Sequence, residues 1–104
     1  MPVYTINTLE EFQALLSLPN LLVFKLYADW CMPCQSYKDQ FVQVSNLYGD
    51  SSDIIFCEAD VKHKFIPTES IPATFLIRNN QIVDKLFGVD IPMLKHKINT
   101  IISQ

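Results

Sequence analysis

Leu21-Leu22-Val23-Phe24-Lys25-Leu26-Tyr27-Ala28-Asp29-Trp30-Cys31-Met32-Pro33-Cys34 is the stretch on which the reading of this chain turns. Its first eight residues are apolar on both alternations except at Lys25, the pattern of a strand covered on both faces. Downstream, Tyr37, Phe41, Val44 and Tyr48 recur at spacings of 4, 3 and 4. That predicts a helix that begins at the cysteines and stops at Gly49. Cys31 therefore stands where a buried strand gives way to a helix. The unpaired N–H groups and dipole of a helix N-terminus favour an anion, and a thiolate held there has its pKa lowered from about 8.5 to about 7 or below. Cys34, one turn on and on the same side, is placed to attack a mixed disulfide formed by Cys31, so the pair can cycle between dithiol and disulfide. Pro33 is tolerated because first-turn N–H groups have no intrahelical partner. A C-x-x-C has two other readings. One is a pair of ordinary buried thiols, which the strand-to-helix position and the adjacent Trp30 argue against. The other is a metal site, which needs about four ligands. Cys57, His63 and His96 are scattered and form no second pair, so neither a metal nor a cofactor is expected.

Outward from that stretch the elements alternate. Val3 to Ile6 is a short strand candidate. Thr8-Leu9-Glu10-Glu11 is a capping-box pattern, followed by Leu9, Phe12, Leu15 and Leu16 at helical spacing and by Pro19 as terminator. Ile54 to Ala59 is strand-like, and residues 61–71 are irregular. Thr74 to Ile77 and Ile82 to Phe87 flank Asn79-Asn80, a tight hairpin because Asn tolerates positive φ. Asp90 caps a last helix with Pro92 in its first turn and an apolar stripe of Ile91, Leu94, Ile98 and Ile101. Lys95-His96-Lys97 falls opposite that stripe as a solvated face, and His63 and His96 read as surface residues. The order is β-α-β-α-β-(irregular)-β-β-α. It predicts one α/β domain over 1–104 with parallel early strands, an antiparallel late pair and helices on both faces of a mixed central sheet.

Composition bounds the partners. The chain has 104 residues, 49% of them hydrophobic and 18% charged, with a net charge of −3. A disordered chain is poorer in apolar residues, and a nucleic-acid binder that works by charge is basic. No basic n-region precedes an apolar run at Met1-Pro2-Val3-Tyr4-Thr5, and no run approaches the roughly 20 apolar residues of a membrane span. Cytoplasmic location and no membrane association are the expectations. Three cysteines is an odd count and argues against a disulfide-stapled scaffold. Cys57, between Phe56 and Glu58, reads as an inert core thiol.

The chain resembles the thioredoxin family over essentially its whole length. Ala28 to Cys34 is similar to that family's active-site segment, which usually has Gly where Met32 stands. Ile71-Pro72-Ala73-Thr74-Phe75 resembles its cis-proline segment. Gly88, sixteen residues after Pro72, falls where the family keeps a glycine beside the active site. The resemblance implies a three-layer fold around a five-stranded sheet in order 1-3-2-4-5. It also implies protein-disulfide reduction, with Cys31 as nucleophile and Cys34 as resolving thiol. Pro72 would face the sulfurs, and the Ile71 backbone would pair with the substrate chain. Trp30, Met32, Pro33, Ile71, Pro72 and Gly88 would make the contact surface. The implied partners are disulfide-containing proteins and a separate thioredoxin-reductase-type electron donor, acting on a monomer in electron transport.

Four departures stand beside that resemblance. Lys25 occupies the place of the family's buried Asp, on the same face as Val23 and Tyr27, and Glu58 falls on the neighbouring strand where bacterial relatives often carry Lys. Either the two form a charge-swapped pair that takes over proton transfer, or Lys25 snorkels to solvent. Met32 adds an adaptable apolar side chain beside the nucleophile. Asp39 replaces a proline that kinks the helix. The segment from Asp60 to Pro72 is short, so the third helix is expected to be reduced to a turn or lost. Two alternatives to the reductase carry weight here. The domain is a binding module or a subunit of a larger assembly with the dithiol incidental, or it performs glutathione chemistry. The latter is disfavoured by Ile71 and by the lack of basic residues near the cysteines apart from Lys38.

Overall fold

The computed structural model describes residues 3–104. Met1 and Pro2, which open the segment read as carrying no leader, lie outside the described residues. The elements are β1 (Tyr4–Thr5), α1 (Leu9–Leu16), β2 (Leu21–Tyr27), α2 (Met32–Leu47), β3 (Ile54–Asp60), a single 3-10 turn (Val61–His63), β4 (Ala73–Arg78), β5 (Gln81–Phe87) and α3 (Ile91–Ile102).

Local chemistry sets most of the boundaries. Glu11 N–H donates to Thr8 Oγ1 at 3.1 Å while Thr8 N–H donates to Glu11 Oε1 at 3.0 Å, completing the capping box of α1. The helix stops at Leu16, short of Pro19. At the other end of the chain Met93 N–H donates to Asp90 Oδ1 at 3.0 Å, capping α3. The end of α2 tightens into i→i−3 bonds from Tyr48 to Ser45 and from Gly49 to Asn46, both 3.2 Å. Asn79 (φ 54°) and Asn80 (φ 63°) are both left-handed, the conformation that a two-residue hairpin of the favoured twist demands.

The strands form one sheet in the order β1-β3-β2-β4-β5. β3 runs parallel to both β1 and β2, and β4 is antiparallel to β2 and β5. This is the arrangement implied by the family resemblance. Between Leu76↔Asp84 and Ile77↔Ile82 the ladder shifts by one residue on β5, which makes Val83 a bulge.

Strand alternation separates two cores. On one face Leu21, Val23, Phe56 and Leu76 pack with Tyr37, Phe41 and Val44 of α2 and with Leu94, Ile98 and Ile101 of α3. On the other, Leu22, Phe24, Cys57 and Phe75 pack with Phe12 of α1. As expected, the third helix is reduced, here to the Val61–His63 turn, whose first turn is capped by Asp60 Oδ1 accepting from Lys62 N–H at 2.9 Å.

Two surface expectations are corrected. His63 is half-buried, because its ring stacks on Phe65 with centroids 5.2 Å apart and Phe65 in turn stacks on Phe12. Lys97 is not part of a solvated face. It turns toward β5, is half-buried, and its Nζ lies 3.1 Å from the Asp84 carboxylate.

Candidate active site

β2 delivers the chain to the end of the sheet, and Ala28 to Trp30 turn it into α2. Cys31 is the N-cap of α2, and its Sγ accepts a hydrogen bond from Cys34 N–H at 3.2 Å. A sulfur here takes the place of the usual Ser or Asp oxygen at a helix start. Pro33 sits in the first turn, where its missing N–H leaves no bond unmade. Cys31 and Cys34 are joined in a disulfide with Cα atoms 5.2 Å apart. Both are buried, whereas Trp30 and Met32 on either side of Cys31 are each 77% exposed.

The segment before β4 comes back to the same place. Ile71 packs against the cluster of Ala28, Cys31 and Cys34. The Ile71–Pro72 peptide is cis, and the Pro72 carbonyl accepts from Gly88 N–H at 2.9 Å. Gly88 has φ 82°, a backbone state that L side chains rarely adopt. Pro72 is buried, whereas Trp30, Met32 and Pro33 are exposed and Ile71 and Gly88 are half-buried.

Beneath the disulfide a polar row crosses the sheet. Lys25 is in register with Glu58 on β3 and with Thr74 on β4. Lys25 Nζ lies 3.1 Å from Glu58 Oε1, with side-chain exposures of 2% and 17%. The charge-swapped pair is therefore formed, and Lys25 does not snorkel. Its ammonium also lies 4.8 Å from the Phe41 ring centroid and 5.4 Å from that of Tyr37, a favourable face for a cation. Burial pushes the Lys25 pKa below the usual lysine value, and the Glu58 carboxylate opposes that shift. The Tyr37 hydroxyl and Thr74 Oγ1 are 2.8 Å apart, and burial raises the Tyr37 pKa to about 12.

A cavity of about 140 Å³ connects this row to the dithiol. It is lined by Lys25, Tyr27, Ala28, Asp29, Cys34, Gln35, Lys38 and Glu58. Cys34 thus shares a water-sized, polar space with both members of the ion pair. Tyr27 borders it, and its pKa is raised by burial and by the carboxylates of Glu58, Asp60 and Asp29. Cys57 takes no part. It is a free thiol, fully buried on the α1 face, and burial pushes its pKa upward.

Sequence reasoning brought together Cys31, Cys34, Trp30, Ile71, Lys25 and Glu58. It missed Tyr37 and Thr74 as a hydrogen-bonded pair, and it missed the cavity. The one available signal was alternation, which sets Thr74 two residues before Leu76 and so on the Lys25 face.

A family model described as Thioredoxin matches residues 3–102. A thioredoxin of Coprinus comatus is 27% identical, over 85% of this chain and 87% of its own length. An H-type thioredoxin of Populus jackii is 30% identical, over 96% of this chain and 76% of its own length. Among solved structures, a wild-type poplar thioredoxin h superposes with a TM-score of 0.86 at 27% identity, covering 98% of this chain and 97% of that one. No helix of the described residues is long and apolar enough to cross a membrane.

Proposed function

The chain belongs to the thioredoxin family and is a disulfide-reducing thiol-disulfide oxidoreductase, and from that premise we propose how its residues divide the work. Cys31 is the nucleophile. Its thiolate attacks one sulfur of a substrate disulfide, forms a mixed disulfide, and releases the other substrate sulfur as a thiolate that takes up a proton. Cys34 then loses its proton and attacks Cys31 Sγ, expelling the second substrate thiolate. The substrate gains two electrons and two protons, and the protein is left as the Cys31–Cys34 disulfide. The observation that carries the assignment is Cys31 Sγ at the N-cap of α2, accepting from Cys34 N–H. Excess negative charge on that sulfur is met there by aligned N–H groups.

Trp30, Met32, Pro33, Ile71, Pro72 and Gly88 form the region that receives a protein substrate, with the Ile71 backbone pairing to the substrate chain. A separate thioredoxin-reductase-type donor restores the dithiol. The domain spans 1–104 and works as a monomer in cytoplasmic electron transport, without nucleic acid or membrane. Lys25 and Glu58 form the proton-transfer pair for Cys34. Glu58, the more exposed member, exchanges the proton through the shared cavity, and Lys25 holds it in place.

The test is trapping. Cys34→Ser accumulates covalent mixed disulfides with its substrates, whereas Cys31→Ser forms none and fails to precipitate insulin. Full insulin-reducing activity in Cys31→Ser overturns the nucleophile assignment, and no activity in the wild type with any reductant favours a binding module with an incidental dithiol. Lys25→Met tests the proton pair, since an unchanged pH profile of Cys34 alkylation removes it from the chemistry.

A further inference from the structure

A groove of about 360 Å³ opens beside the dithiol, lined by Trp30, Val61, Thr68, Glu69, Ser70 and Ile71. Two of its walls adjoin the cysteines. Trp30 precedes Cys31 in the chain, and Ile71 packs against Cys31 and Cys34. A segment that brings a sulfur to Cys31 therefore sets a neighbouring side chain at the mouth of this groove. Val61 and Ile71 supply apolar surface, and the exposed indole of Trp30 supplies a π face. Glu69 is the single charged side chain among the lining residues. It is exposed, and neither ion pair of the described residues involves it. The rim is held by the Thr68 hydroxyl donating to the Ser70 carbonyl at 2.8 Å.

These groups match one chemistry. The methylenes of a long cationic side chain pack on Val61 and Ile71. A planar guanidinium lies over the indole and pairs with the carboxylate through two parallel hydrogen bonds. An acidic side chain in the same place is repelled by Glu69. Lys64 opens onto a separate depression with Val61, Ile66, Pro67 and Thr68.

We propose that this groove selects disulfides with an arginine beside the reacting cysteine, and that Glu69 is the residue that sets the preference. The proposal rests on Cys31 as nucleophile. The experiment compares three disulfide-bridged peptides that differ only in having Arg, Gln or Glu next to the cysteine. The readout is kcat/KM at low and high salt. One partly exposed charge pair with a cation–π contact corresponds to a preference of roughly five- to tenfold for Arg over Gln. That ratio shrinks as salt rises, falls in Glu69→Gln to the roughly two- to threefold that the cation–π contact with Trp30 alone supports, and in Glu69→Lys turns toward the Glu peptide. A ratio near one in the wild type, or a ratio undiminished in Glu69→Gln, overturns the groove and leaves the nucleophile assignment intact. A wild type that reduces none of the peptides overturns both.

Discussion

Removing either member of the Lys25–Glu58 pair should have sharply unequal consequences. Glu58→Gln keeps a cation at 2% exposure and removes the carboxylate 3.1 Å away. Breaking a buried pair in this way typically costs about 3–5 kcal/mol. An upper limit comes from neutralisation, since deprotonating a lysine of ordinary pKa at pH 7 costs about 4.6 kcal/mol. Glu58 is partly exposed and the ammonium keeps its aromatic faces, so we expect a loss of about 2–4 kcal/mol. For a domain of this size each kcal/mol lowers Tm by roughly 4–8 °C. Lys25→Met removes the buried cation and keeps its volume, leaving a carboxylate that is 17% exposed and borders the shared cavity, where water can reach it. The expected change is within about 1 kcal/mol of the wild type, of either sign. The pH dependence has a definite direction. Because the folded pKa of Lys25 lies below the unfolded one, the unfolded chain binds more protons between the two values, and stability rises with pH across that window. Glu58→Gln removes the group that raises the folded pKa, so its window opens at lower pH and its total rise is larger. Lys25→Met abolishes the rise. Urea unfolding of the oxidised proteins from about pH 7 to 9 measures all three in a Cys57→Ala background, because the Cys57 thiol titrates in the unfolded chain within the same range while burial holds it protonated in the fold. Equal losses in the two variants, or the same pH slope in wild type and Lys25→Met, would refute the reasoning.

Three further outcomes follow from the fold. Thr74→Val leaves the buried Tyr37 hydroxyl without its partner at 2.8 Å, and chemical denaturation should show a loss of about 1–3 kcal/mol. Asn80→Gly, at φ 63°, relieves a left-handed side chain and should raise the denaturation midpoint slightly, because Asn-Gly is the favoured pair for this turn. Cys57, fully buried with its pKa pushed upward by that burial, should resist maleimide in the native reduced protein and react once the chain is unfolded. Labelling of Cys57 at the rate of Cys31 would contradict the packing of the α1 face.

The parts of this fold that were legible in the sequence are those whose cause is local. The capping box at Thr8, the Asn79-Asn80 turn and the spacing of Tyr37, Phe41 and Val44 each depend on residues within a turn or two of one another. Placing Lys25 inside the sheet needed only alternation along one strand. The strand order and the pairing of Lys25 with Glu58 came from family likeness, since no property of either segment alone fixes a contact between residues so far apart in sequence. His63 and Lys97 were misjudged for a related reason. A polar residue looks solvent-facing until the ring or carboxylate that covers it, here Phe65 or Asp84, is placed beside it. The groove at Glu69 was invisible because it is a space between two loops, and its shape belongs to neither.

The two rims of the sheet bear on how the molecule behaves at high concentration. A bare strand edge is a template on which another chain adds and aggregation begins. Here one rim is β1, only two residues long, too little ladder to seed a register. The other is β5, where the extra residue at Val83 interrupts the ladder and the charged neighbours Asp84 and Lys85 follow at once. A sheet closed off in this way can hold exposed Trp30 and Met32 at one end for passing substrates without its own copies stacking edge to edge.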